Sequence, residues 1–195
     1  MARKASISRE TKETKIAISL NLDGNGKSSI KTPLKFLNHM LASFTKHSGF
    51  DLKITASGDV DVDDHHLVED IGIVLGTAIQ KALGSKKGIN RMAYAIVPMD
   101  DSRAVVSVDL SGRPYAVIDL PFSEFNDRRV GDVSKENIVH FLESLALNGG
   151  LNLNVKTEGR NDHHKVEATF KALARALKEA VKITGKNIPS TKGVL

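Results

Sequence analysis

Two hexapeptides of the chain, Asp64-His65-His66-Leu67-Val68-Glu69 and Asp162-His163-His164-Lys165-Val166-Glu167, share the pattern Asp-His-His-x-Val-Glu. On a helix, His65 and Glu69 stand one above the other at i and i+4 and can hold one metal ion. His66 is rotated from His65 by about 100°, so it suits a second ion. His163, His164 and Glu167 repeat the set. An electropositive helix start also favours neutral, metal-binding imidazole over imidazolium. A single exposed doublet could be inert, but two copies, each with a glutamate at the chelating offset, argue for chemistry.

The chain is a duplication. The stretch 39–58 lies over 140–159 without a gap: His39 meets His140, Gly49 meets Gly150 and Gly58 meets Gly159. Upstream, SLNLDG (19–24) answers SVDLSG (107–112). His39 and His140 thus add a third histidine pair, and of seven histidines only His47 stays outside the pattern. The expectation is two sites, each of three histidines and one carboxylate. His65, Glu69 and His164 belong with one of His39 or His140; His163, Glu167 and His66 belong with the other. Four ligands leave open positions on a six-coordinate ion. Nitrogen and oxygen donors suit manganese, with zinc, iron or nickel as competitors.

The elements that must carry these residues read the same way in each half. Ile16, Ile18, Leu20 and Leu22 alternate as a half-buried strand, as do Val106, Val108 and Leu110. A helix bearing His39 stops near Gly49, and one bearing His140 starts after Ser134. Further strands carry Leu52 and Ile54, or Leu153 and Val155. Asp64 and Asp162 are predicted to cap the helices that bear the doublets, the first running to about Leu83. The fold class is α+β: an internally duplicated strands–helix–strand–helix unit whose halves pack with pseudo-two-fold symmetry. The halves are predicted at 1–88 and 89–185, followed by a tail at 186–195. The basic start, MARKASISRETKETK, reads as a solvated arm.

Composition narrows the function. The 195 residues include 41% hydrophobic and 26% charged residues, which fits one compact domain. No cysteine is present, which excludes disulfides and thiolate metal sites. No apolar run approaches a membrane span, and the start has no signal-peptide core, so a cytoplasmic protein is expected. The net charge of +5 is spread along the chain, and there is no tryptophan to stack on bases. That argues against nucleic acid and for a small phosphorylated substrate.

Taken together, "FLNHMLASFTKHSGFDL", "DDHHLVEDIGIVLG", "GINRMAYAIVPMDD", "DLSGRPY", "GRNDHHKVEATFKALARAL" and "PSTKGVL" make the chain resemble the imidazoleglycerol-phosphate dehydratase family along nearly its whole length. The resemblance implies a duplicated fold like a ribosomal S5 domain, two Mn2+ ions per active site, and a 24-subunit homo-oligomer with active sites between subunits. It implies dehydration of imidazoleglycerol phosphate to imidazole acetol phosphate in histidine biosynthesis, through a metal-bound imidazolate and a diazafulvene. The implied metal ligands are His39, His65, His66, Glu69, His140, His163, His164 and Glu167. Glu13 is implied as the proton-transfer group. The implied substrate contacts are Glu13, His39, His47, Arg91, Arg113, Lys171, Ser190, Thr191 and Lys192, with Arg91, Arg113, Ser190 and Lys192 for the phosphate. The family's usual aspartate before the first ligand is Asn38 here, and its usual second-half strand histidine is Asn154. A non-catalytic metal-binding assembly, an RNA-binding module and a di-metal phosphatase are the competing classes. Phosphatase sites lean on bridging carboxylates, whereas six of these eight ligands are histidine.

Overall fold

A computed structural model of the chain describes residues 3–123, 128–193 and 195; Met1 and Ala2 of the arm and Val194 of the tail lie outside the described residues. The first half runs β1 (Lys4–Glu10), β2 (Thr14–Asn21), β3 (Ser28–Lys31), α1 (Lys35–Ser48), β4 (Asp51–Gly58) and α2 (His65–Leu83). The second runs β5 (Met92–Met99), β6 (Ser102–Asp109), β7 (Tyr115–Asp119), a short hairpin β8 (Arg129–Val130) and β9 (Val133–Ser134), then α3 (Lys135–Gly149), β10 (Asn152–Glu158) and α4 (Asp162–Ala180). The sheet orders, β1-β2-β4-β3 and β5-β6-β10-β7, are the same topology twice.

The alternating residues set the register. Ile18 pairs with Ile54 and Leu20 with Leu52, all buried on one face, and Val106 pairs with Val155 likewise. A slip of one residue would turn those faces to water. The start of the chain departs from the solvated arm expected of it. Ala5 and Ile7 tuck partly against the core, and β1 pairs along its length with β2. Lys4, Ser6, Ser8 and Glu10 face outward, as suits a strand at a sheet edge, while Arg9 on the inner face pairs with Asp70 of α2 at 2.9 Å.

Helices α1 and α2 cover the first sheet, and α3 and α4 the second; α1 then faces α4 and α2 faces α3. The strands that feed the helices are parallel, β3 with β4 and β7 with β10. All four helices therefore start at one end of the molecule. A Cβ added at Gly72 would stand 2.7 Å from the Phe141 carbonyl, and one at Gly76 2.5 Å from that of Leu145. That close approach brings the starts of α2 and α3 side by side.

The helix starts are satisfied across the halves. Asp132, in the β8–β9 turn, accepts from the N–H groups of Lys35 (2.6 Å) and Phe36 (2.9 Å) at the start of α1. Asp64 accepts from the Ser134 N–H (2.8 Å) and hydroxyl (2.6 Å) at the start of α3. Asp64 stands at the cap position of α2 but makes no capping bond there; the Asp63 carboxylate accepts from the His65 N–H instead. Asp162 is not the cap of α4 either. Asn161 holds that position and accepts from the His164 N–H, while Asp162, buried, pairs with Lys135 (2.9 Å) and Lys165 (2.7 Å). Ser134 draws the Asp64 carboxylate away from its own helix end, and the lysine amines do the same for Asp162.

Candidate metal and substrate site

At the shared helix-start end, α1 brings His39 against α4. His39 Nε2 lies 3.7 Å and His163 Nε2 3.3 Å from the same oxygen, Oε2 of Glu167. The other oxygen of Glu167 takes a 2.9 Å bond from Lys171 Nζ. Burial raises the Glu167 pKa, but the Lys171 bond and charge, with His39 and His163, outweigh it and leave it lowered. The carboxylate is thus ionised and aimed, and the His163 ring packs edge-on to Phe36 at 5.2 Å.

The second cluster is the pseudo-symmetric image. His65 and His140 rings stand 5.2 Å apart, and His65 Nε2 is 3.8 Å from Glu69 Oε2. Asn137 Oδ1 lies 2.9 Å from His65 Nδ1. An amide oxygen can only accept, so the bond is donated by His65 Nδ1. His65 Nδ1 therefore carries the proton, and Nε2 keeps its lone pair free for a metal. Within the chain, His39 lies beside His163 and Glu167, and His140 lies beside His65, the neighbour of Glu69.

His66 and His164 join neither cluster within the chain. Each ring turns away from its neighbour, at 85° for His65–His66 and 81° for His163–His164. His66 Nδ1 meets Asp59 (3.1 Å) and His164 Nδ1 meets Asp101 (2.6 Å). Glu13, on the β1–β2 turn, faces His66 Nε2 at 4.0 Å, and Asp100, on the β5–β6 turn, faces His164 Nε2 at 3.3 Å. Sequence reading singled out Glu13 but missed Asp59, Asp100, Asp101 and Asn137. The signal available for the three aspartates was their place at turns that the parallel strands bring to the helix starts.

Each cluster fits a first-row divalent ion by its donors: imidazole nitrogens with one carboxylate, and no sulfur. Donors around such an ion sit about 3 Å from one another, so the His39–Glu167 and His163–Glu167 spacings of 3.7 and 3.3 Å need only slight inward closure; in the second cluster His65 and Glu69 are spaced at 3.8 Å, while His140 Nδ1 lies 3.5 Å from Glu143.

The basic residues expected to hold phosphate lie at the other end. The Arg91 N–H donates to the carbonyl of Ala180, the last residue of α4, thirteen residues beyond Glu167. At 1.5 Å per residue that is about 20 Å from the metal cluster. The Arg91 guanidinium forks onto Asp109 (2.7 and 3.0 Å) and donates to the Pro189 carbonyl (2.8 Å), which fixes the tail that carries Ser190, Thr191 and Lys192. Arg113 is exposed on the turn after β6, where Gly112 donates to Gly150 just past α3. Of the other expected substrate contacts, Lys171 touches a cluster residue outright, and His39 is itself a member of the cluster. His47 lies at the end of α1, its pKa lowered by burial and by the charges of Lys171 and Arg175. Asn38 bonds the Thr32 carbonyl through Nδ2 (3.0 Å) and the Thr32 hydroxyl through Oδ1 (2.9 Å), closing the loop before α1. An aspartate at that position could not supply the donor.

A duplicated α+β sandwich with a histidine–carboxylate cluster able to hold a metal ion at one end is the architecture of a metal-binding protein. The family model for imidazoleglycerol-phosphate dehydratase matches residues 32–177. The enzyme of that name from Methanothermobacter thermautotrophicus is 53% identical over 193 residues, covering 99% of this chain and 98% of that protein. Its counterpart from Chloroherpeton thalassium is 54% identical over 195 residues, covering 99% and 98%. Crystal structures of the dehydratases from Staphylococcus aureus and Pyrococcus furiosus, the latter in complex with (S)-C348, superpose with TM-scores of 0.83 and 0.84. Each is 38% identical; they cover 93% and 97% of this chain and 99% and 100% of their own. The chain belongs to the imidazoleglycerol-phosphate dehydratase family and is an enzyme.

Proposed function

We propose that the chain dehydrates imidazoleglycerol phosphate to imidazole acetol phosphate in histidine biosynthesis, in the cytoplasm, with two Mn2+ ions at each active site. The observation that carries this reading is the pair of half-built clusters, His39–His163–Glu167 and His65–His140–Glu69, at the same end as Glu13. His66 and His164 would complete clusters of neighbouring subunits, giving each ion three histidines and one carboxylate with positions left for substrate. The separation of about 20 Å between metal end and basic tail supports the same conclusion. Arg91, Arg113, Ser190 and Lys192 would serve a neighbour's metals, in an assembly of 24 subunits with shared sites.

Held by His39, His163 and Glu167 and by His65, His140 and Glu69, with His66 and His164 of neighbouring subunits, the metal ions would supply charge withdrawal from the substrate's ring nitrogens, which would favour departure of the hydroxyl next to the ring. The chain's residues do the rest. Lys171 and Asn137 hold a carboxylate and an imidazole in their ligating orientations. Glu13, exposed and beside His66, takes the carbon proton and leaves the enol, which becomes the ketone. Arg113 and Lys192, with Ser190 donating a hydrogen bond, grip the phosphate. Arg91, its guanidinium committed to Asp109 and Pro189, serves the phosphate by fixing the tail.

The test is incubation of chelator-stripped protein with imidazoleglycerol phosphate, with and without Mn2+, following the ketone. Product that requires Mn2+ is expected. No product from protein that binds Mn2+ normally would overturn the reading.

A further inference from the structure

We propose that Asp59 and Asp101 are positioning residues that aim His66 and His164 at the metal ions, each by binding the Nδ1 side of its ring so that Nε2 faces outward as the ligand. The inference rests on the reading that these two histidines are ligands.

The geometry is matched. Asp59 Oδ2 lies 3.1 Å from His66 Nδ1, and Asp101 Oδ1 lies 2.6 Å from His164 Nδ1. In both cases Nε2 then points to an exposed carboxylate, Glu13 or Asp100, which marks a position that favours a cation. A carboxylate behind a ligating imidazole fixes its tautomer and plane and raises its basicity.

The origin of the two contacts separates them from a relic of duplication. Under the repeat offset of 101 that joins Gly58 to Gly159, Asp59 corresponds to Arg160. Under the offset of 88 that joins Gly24 to Gly112, Asp101 corresponds to Glu13. Neither aspartate has an aspartate at its equivalent place. One half supplies its carboxylate from the exit of β4, the other from the β5–β6 turn, and both arrive at the same ring nitrogen. A contact built twice by different routes is one that the site requires.

The two are held differently. Asp101 Oδ2 accepts from the N–H groups of Arg160 (2.7 Å) and Asn161 (2.9 Å), just ahead of α4. Asp59 Oδ1 is buried without a partner among the described residues. The Asp101 side chain is therefore the stiffer support, and its loss the costlier.

The experiment is calorimetric titration of Mn2+ into chelator-stripped, full-length Asp59→Ala and Asp101→Ala proteins. Asp51→Ala serves as control, because Asp51 also accepts from two backbone N–H groups, of Asn25 and Lys27, but bonds no histidine. Each test variant is expected to weaken one of the two ions about ten- to hundredfold, Asp101→Ala more than Asp59→Ala, with the control unchanged. Asp101→Asn, which keeps an acceptor oxygen, is expected to regain part of the loss and keeps the test open should the alanine variant misfold. Wild-type affinity in Asp59→Ala and Asp101→Ala, while His66→Ala and His164→Ala each lose an ion, overturns the positioning role alone. Two tightly bound ions in the histidine variants overturn the ligand reading and the positioning role with it.

Discussion

The two histidine–carboxylate clusters occupy equivalent places in a duplicated fold, yet their supports have been exchanged. Around Glu167 the carboxylate is fixed: Lys171 binds it and its side chain is 10% exposed. Around Glu69 the side chain is 40% exposed, and the residue equivalent to Lys171 is Ile73. The histidines show the reverse. His65 has its Nδ1 held by Asn137, whereas His163 meets Phe36, the repeat equivalent of Asn137, and makes no side-chain hydrogen bond among the described residues. One cluster is preorganised through its carboxylate and the other through its imidazole. The lesson is that a site needs at least one ligand locked by a neighbour, and either kind will serve.

Removing a ligand should have the largest effect and should test the pairing itself. His39→Ala and Glu167→Ala are expected to deplete the same ion, and His140→Ala and Glu69→Ala the other, each with a loss of roughly a thousandfold in kcat/KM. Metal content measured on double variants checks this: Glu167→Ala added to His39→Ala should remove no further ion. Loss of two ions from that double variant would break the comparison.

Asn137→Ala should weaken Mn2+ at the Glu69 cluster about ten- to hundredfold and leave the Glu167 cluster unchanged. Phe36→Asn is the sharpening counterpart: a new acceptor beside His163 should strengthen the Glu167 site if imidazole support is what that cluster lacks. Competition titration against a chelator reads both.

The helix interfaces differ in the same spirit. Gly72 and Gly76 of α2 correspond to Phe170 and Ala174 of α4. Gly76→Ala forces a methyl group toward the Leu145 carbonyl and should cost about 1–3 kcal/mol in urea unfolding, whereas Ala174→Gly should cost about 1 kcal/mol. Equal losses would remove the claim that only α2 needs the close approach.

The smallest effect concerns pH. Burial, with Lys171 and Arg175, lowers the His47 pKa below its usual 6.5. The unfolded chain therefore binds the proton more readily. This contribution to stability is present above pH 6.5 and is lost as the pH falls through the folded-state value. His47→Gln should flatten the stability profile slightly in that window, as measured by chemical denaturation of the metal-free protein.

Much of this was legible in the sequence because it depends on spacing. The doublets, the i+4 glutamates and the alternating strands follow from helix and strand periods, and the duplication follows from self-alignment. What the spacing could not show is which helix meets which across the sandwich, so the partner of His39 stayed open until α1 was found against α4. Asp64 and Asp162 read as helix caps because local rules see only the adjacent N–H groups; Ser134, Lys135 and Lys165 come from elsewhere and outbid them. Likewise β1 looked like an arm because an edge strand with charged outward positions has the composition of one. Nor could spacing show that Arg91 forks onto Asp109, eighteen residues away in sequence.

The reciprocal capping of α1 by Asp132 and α3 by Asp64 bears on how such a molecule could have arisen. If a single-unit ancestor once paired with a copy of itself, fusion made each copy free to discard its own stopper and borrow its twin's. That exchange works as a ratchet. Once both loans are in place, neither unit can leave without exposing raw helix ends in its sibling, and the two have become one inheritance.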